Sequence, residues 1–115
     1  MYRTMILPAV NAWAMSQVER ARKQDTFTTT LDICVNPYRI LIDDTAYAFE
    51  DYGFSKLSDE GGQALNIIQL VRLGTRFAIS GILNEAGIPH QITWEFGRRG
   101  QDYSVTFTVK IGAAL

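Results

Sequence analysis

The chain has 115 residues, a formal net charge of −1, 47% hydrophobic residues and 20% charged ones. That length suits one domain able to hide roughly two-thirds of its unfolded surface, and the composition excludes a disordered chain. The near-neutral balance supplies no global field for nucleic acid or an anionic membrane, and no apolar run approaches the roughly 18 residues of a membrane span.

Residues Thr4 to Gln24 carry the spacing of an amphipathic helix. Thr4 suits the cap, Pro8 falls in the first turn, and Val10, Ala14, Val18 and Ala21 recur every three or four residues. Gln17, Arg20 and Lys23 form the opposite stripe. Arg20, Arg22 and Lys23 suit the helix C-terminus, where positive charge complements the dipole, and this role outweighs a nucleic-acid patch. Arg3, Met5-Ile6-Leu7 and Ala12-Trp13-Ala14 echo a signal peptide, but Pro8 and Asn11 interrupt the apolar stretch, so a helix is favoured.

From Thr26 to Asn36 the period changes to two. Phe27, Thr29, Leu31, Ile33 and Val35 alternate with Thr28, Thr30, Asp32 and Cys34, which predicts a strand. Asn36-Pro37 marks a turn, and Tyr38 to Asp43 is expected to pair back as a second strand. Asp44 to Leu57 is read as extended or irregular, with Tyr47 and Phe49 at strand spacing and a short helix capped by Asp44 as the alternative. Ser58-Asp59-Glu60 then opens a helix with a cap and first-turn acids. Its residues Ala64, Leu65, Ile67, Ile68, Leu70, Val71 and Leu73 cover most of the circumference, leaving Asn66, Gln69 and Arg72 as a polar stripe. This predicts a central, mostly buried helix ending at Gly74. A further helix is expected from Thr75 to Ala86, with a strand over Phe77 to Leu83 as the alternative. Gly87-Ile88-Pro89 is the stop signal.

The C-terminal region predicts a β-hairpin. Ile92, Trp94 and Phe96, then Tyr103, Val105, Phe107, Val109 and Ile111, share one oily face. Pairing Phe96 with Tyr103, Trp94 with Val105 and Ile92 with Phe107 leaves Arg98 to Gln101 as the loop. A tighter turn would oppose Glu95 and Asp102, two like charges. The order α-β-β-α-α-β-β implies an α+β fold, with an antiparallel sheet of about four strands packed on helices.

Chemistry is sparsely signalled. The single cysteine, Cys34, and single histidine, His90, offer no metal-ligand spacing. Cys34 is expected to be an ordinary strand residue and His90 a structural one. No cofactor motif is present, and Gly61-Gly62 lacks a following lysine of the phosphate-binding type. One cysteine also favours a reducing, cytoplasmic setting. The segment Asp43 to Glu60 stands out, because Asp43, Asp44, Glu50, Asp51, Asp59 and Glu60 are half of the chain's 12 acids, set among Tyr47, Phe49, Tyr52 and Phe54. Aromatics can anchor an interface while acids steer a basic partner; equally, the aromatics can finish the core while the acids stay solvated. Arg98 and Arg99, at the hairpin tip, can grip phosphate or carboxylate, or simply solvate a turn.

The leading expectation is a non-enzymatic binding or adaptor protein that works through protein–protein contacts or self-association, with Tyr47, Phe49, Tyr52, Asp43, Asp44, Arg98 and Arg99 as candidate binding residues. The alternative is a small-molecule or enzymatic pocket between sheet and helices, joining at least two of Asp32, Asp43, Asp44, Glu50, Glu95 and His90. Nucleic-acid binding through Arg98, Arg99 and Lys110 ranks last.

Overall fold

The computed structural model describes residues 1–57, 62–100 and 102–112, with Arg99 as backbone alone. A π-helical turn, Tyr2–Ile6, runs directly into helix α1, Leu7–Lys23. Strands β1 (Phe27–Val35), β2 (Arg39–Ile42) and β3 (Thr45–Ala48) follow, then a 3-10 turn at Phe49–Tyr52. Helix α2 (Gln63–Glu85) precedes the hairpin of β4 (His90–Arg99) and β5 (Asp102–Ile111). The five strands form one antiparallel sheet in the order β3-β2-β1-β5-β4. Among the described residues the architecture is α+β, with two α-helices and five strands.

The alternation of β1 and β5 builds the core. Leu31, Ile33 and Val35 face the same side as Val105, Phe107, Val109 and Ile111, and all are buried. α2 lies against this face, touching β1, β4 and β5, while α1 packs along α2. Val10, Ala14 and Val18 on α1 join Ile68, Val71, Ile79 and Leu83 on α2 in the same cluster. On the opposite face Thr28, Thr30 and Asp32 are exposed.

Several boundaries differ from expectation. The first helix starts before Thr4, whose hydroxyl donates to Met1 O at 3.3 Å rather than capping α1. Gln17 is buried, not part of the outer stripe, and its Nε2 donates to Ser16 Oγ at 3.1 Å. The segment read as extended or irregular contains β3, so the described sheet has five strands rather than about four. Asp43 and Asp44 make the β2–β3 turn at φ 50° and 69°, the left-handed pair that a two-residue hairpin turn needs.

Gly74 does not end a helix; α2 runs unbroken through it. The absent Cβ admits Tyr2, since a methyl at Gly74 would lie 2.9 Å from Tyr2 Cζ. The glycine is therefore a packing notch, and the next residue, Thr75, is fully buried. The anticipated opening at Ser58-Asp59-Glu60 lies outside the described residues; the helix is described from Gln63. Nor is α2 mostly buried, because Leu65, Leu70, Leu73 and Phe77 are exposed. A helix on one face of a sheet can bury a stripe, and the surplus leucines have nowhere to go. The stop works as read: Gly87 has φ 71°, and Ile88 N donates to Leu83 O at 2.9 Å.

The final hairpin is shifted by two residues. Phe96 pairs with Val105, Trp94 with Phe107 and Ile92 with Val109, and the strands continue to Arg99 opposite Asp102. A shift of two preserves every facing, so the oily side is unchanged. Glu95 sits across from Thr106, not from Asp102.

Candidate functional site

The sequence-derived site residues fall at both edges of the sheet. Asp43 and Asp44 are exposed at the β2–β3 turn. Tyr47, on β3, packs partly into the core, Phe49 is fully inside it, and Tyr52 is 40% exposed. Phe49 is a core residue rather than a contact residue. Arg98 lies at the other edge, its guanidinium 5.0 Å from the Tyr103 ring centre and its Nε donating to Gly100 O at 2.9 Å. Arg99 follows it in β4.

Three grooves among the described residues bear on the carboxylate pocket envisaged between sheet and helices. A concavity of about 430 Å³ on the open sheet face holds Asp32, Arg39, Asp102 and Thr106. Thr106 Oγ1 donates to Asp32 Oδ1 there at 2.8 Å. A hollow of about 320 Å³ near the 3-10 turn takes Glu50, Phe54 and Lys56. Neither unites two of the six candidate groups. His90 is held between Ile88 O at 2.9 Å and Ser80 Oγ at 3.1 Å. Cys34 and His90 take opposite faces of the sheet, since Cys34 pairs with Ser104 and His90 with Ile111. Among the described residues, no cluster of three His, Cys, Asp or Glu could hold a metal, and no helix is long and apolar enough to cross a membrane.

The third groove, about 290 Å³, lies between α2 and β4 and is lined mainly by Leu65, Ile68, Gln69, Phe96 and Tyr103. It belongs to a longer seam. From Leu65 to Ser80, α2 advances about 22 Å; from Phe96 back to His90, β4 advances about 20 Å. The helix thus tracks the strand from the Leu65–Phe96 end to the Ser80–His90 bond. Between these ends the Arg72 and Arg76 guanidiniums lie 4.9 and 5.1 Å from the Trp94 ring centre. Trp94 is 37% and Phe96 49% exposed.

β4 is the outermost strand beside this seam. Its ten residues keep one uninterrupted register with β5. Natural edges are commonly blunted by shortness, proline, lysine or a bulge. β3, at the other edge, has four residues before the chain turns away. From His90 to Gly97, β4 has no proline, lysine or bulge.

Sequence reasoning placed Trp94 and Phe96 in the core and Arg72 on a plain polar stripe. The usable signal was the surplus of apolar residues on α2, more than one sheet-facing stripe can hide. No protein-family model, curated protein or solved structure matches the chain.

Proposed function

We propose that this protein is a non-enzymatic binding module that takes an extended segment of a partner protein onto the free edge of β4. Added strands gain affinity from main-chain hydrogen bonds and specificity from alternate side chains. Here the inward side chains of the added segment would meet the flank of α2 from Leu65 to Arg76. The observation that carries this reading is the long, regular β4 edge, without proline, lysine or bulge from His90 to Gly97, beside exposed Trp94 and Phe96. A cytoplasmic setting fits the single cysteine, and the binding requires no cofactor.

The test is a titration of the isotope-labelled protein with a capped eight-residue peptide of alternating Val and Thr. Amide resonances of β4 and the facing flank of α2 should move, while those of β3 stay. Movement elsewhere alone, or none at millimolar peptide, would defeat the proposal.

A second reading, a small polar ligand on the open sheet face, is favoured by the Asp32–Thr106 hydrogen bond inside its concavity. It predicts that small amines or sugars displace the Asp32 and Thr106 resonances. Silence of both resonances across such a set would end it.

A further inference from the structure

We propose that Arg72 and Arg76, gathered on Trp94, form a carboxylate seat, so that the strand accepted by β4 carries an Asp or Glu at the inward position beside Trp94. The inference rests on the edge-strand reading above and names the chemistry of its partner.

Two guanidiniums one helical turn apart repel each other, and like charges at that spacing are unfavourable. Both nevertheless lie over the same indole. Among the described residues no acid answers them: the ion pair found there is Arg22 with Glu19, on α1. Glu95, adjacent to Trp94 in sequence, projects from the other face of the sheet, as strand alternation requires. The Arg72 Nε–H is sealed from solvent and has no acceptor. A planar fork of donors matches a carboxylate, and Arg76 is exposed to one arriving from solvent. The aromatic platform fixes the guanidinium planes, so the seat is arranged before any ligand arrives.

The same charges bear on which protein can dock. A two-fold pairing of β4 with β4 of a second copy would set inward positions against inward positions and bring both arginine pairs to the axis. The β3 edge of a second copy offers Thr45 and Tyr47 inward, opposite Ile42 and Ile40, and neither is acidic. A different chain with an inward carboxylate answers both charges.

Three capped eight-residue peptides of alternating Val and Thr, differing only in a central inward Glu, Gln or Lys, test this. Binding is read from Trp94 fluorescence in a Trp13→Phe background at low salt. The Glu peptide should bind about tenfold more tightly than the Gln peptide, with the Lys peptide weakest. Arg76→Gln, at an exposed position, should shrink the Glu–Gln difference without unfolding the chain, and Arg72→Gln/Arg76→Gln should abolish it. Added salt should narrow it as well. Equal affinity for Glu and Gln would overturn the carboxylate seat while leaving the edge-strand reading intact. Failure of all three peptides would overturn the edge-strand reading itself. Self-association through β4, detected by sedimentation at low salt, would overturn the argument against a second copy.

Discussion

The Tyr2 and Thr75 hydroxyls are hydrogen-bonded at 2.9 Å across 73 residues of sequence. The bond ties the first turn of the chain to the middle of α2, beside the Gly74 notch. Ring, notch and hydroxyl act as one joint, because the ring reaches Thr75 only by lying where a Gly74 side chain would be.

Gly74→Ala should therefore be context-dependent. With Tyr2 present it should cost about 1 kcal/mol, since the ring must move and the bond to Thr75 breaks. In a Tyr2→Ala background the same change should stabilise by about 1 kcal/mol, the ordinary helix preference for alanine. Urea unfolding of the four proteins in the cycle measures the sign reversal.

Burial pushes the Tyr2 phenol above the ordinary tyrosine value, and its hydrogen bond to Thr75 pulls partly back. The folded state therefore keeps this proton to higher pH than the unfolded state. Above about pH 10, where an unfolded tyrosine begins to ionise, the unfolded chain binds fewer protons and stability falls. Tyr2→Phe should flatten that alkaline decline; an unchanged slope between pH 9 and 11 would assign it to other groups.

Asp43 and Asp44 both sit at positive φ, where residues other than glycine are strained. Asp44→Gly should relieve the second position and stabilise by about 0.5–1 kcal/mol, the gain expected when a turn of this hand receives its preferred residue. Thermal unfolding at neutral pH reads the change, and a lowered midpoint would contradict it.

Two phenylalanines separate packing from surface. Phe107 is fully buried at the centre of the sheet, whereas Phe77 is 71% exposed on the outer side of α2. Phe107→Ala should cost about 3–5 kcal/mol. Phe77→Ser should change stability by no more than about 0.5 kcal/mol and raise solubility. Comparable losses from the two would mean that the outer face of α2 is packed in solution.

Where one face is oily and the other hydroxylated, sequence was a good guide. The strict alternation of Phe27–Val35 and Tyr103–Ile111 identifies both strands and both faces, and Gly87-Ile88-Pro89 locates the end of α2. Thr45-Ala46-Tyr47-Ala48 reads only as extended or irregular because two alanines mute the alternation. Gly74 misled because a helix-breaking residue and a packing notch look identical until Tyr2 is seen against it. Hairpin register depended on the turn at Gly100 (φ 61°) rather than on the Glu95–Asp102 repulsion alone. The candidate groove was least legible. Trp94 and Phe96 have core-like spacing, and only the strand order puts them at an edge.

That strand order also governs how the chain can fold. β1 finds one neighbour, β2, just across a short turn, but its other neighbour, β5, comes from the far part of the sequence, with Phe27 against Ile111 and Val35 against Tyr103. The β1–β2–β3 meander and the β4–β5 hairpin can each form locally, whereas the β1–β5 seam must wait for a long loop to close, a step set by chain entropy rather than by local preference. Until it closes, the apolar faces of β1 and β5 lack their common core, and the β1 and β5 edges stand open. The transition state should be found at that seam, and substitutions at Leu31 or Phe107 should slow folding more than they speed unfolding.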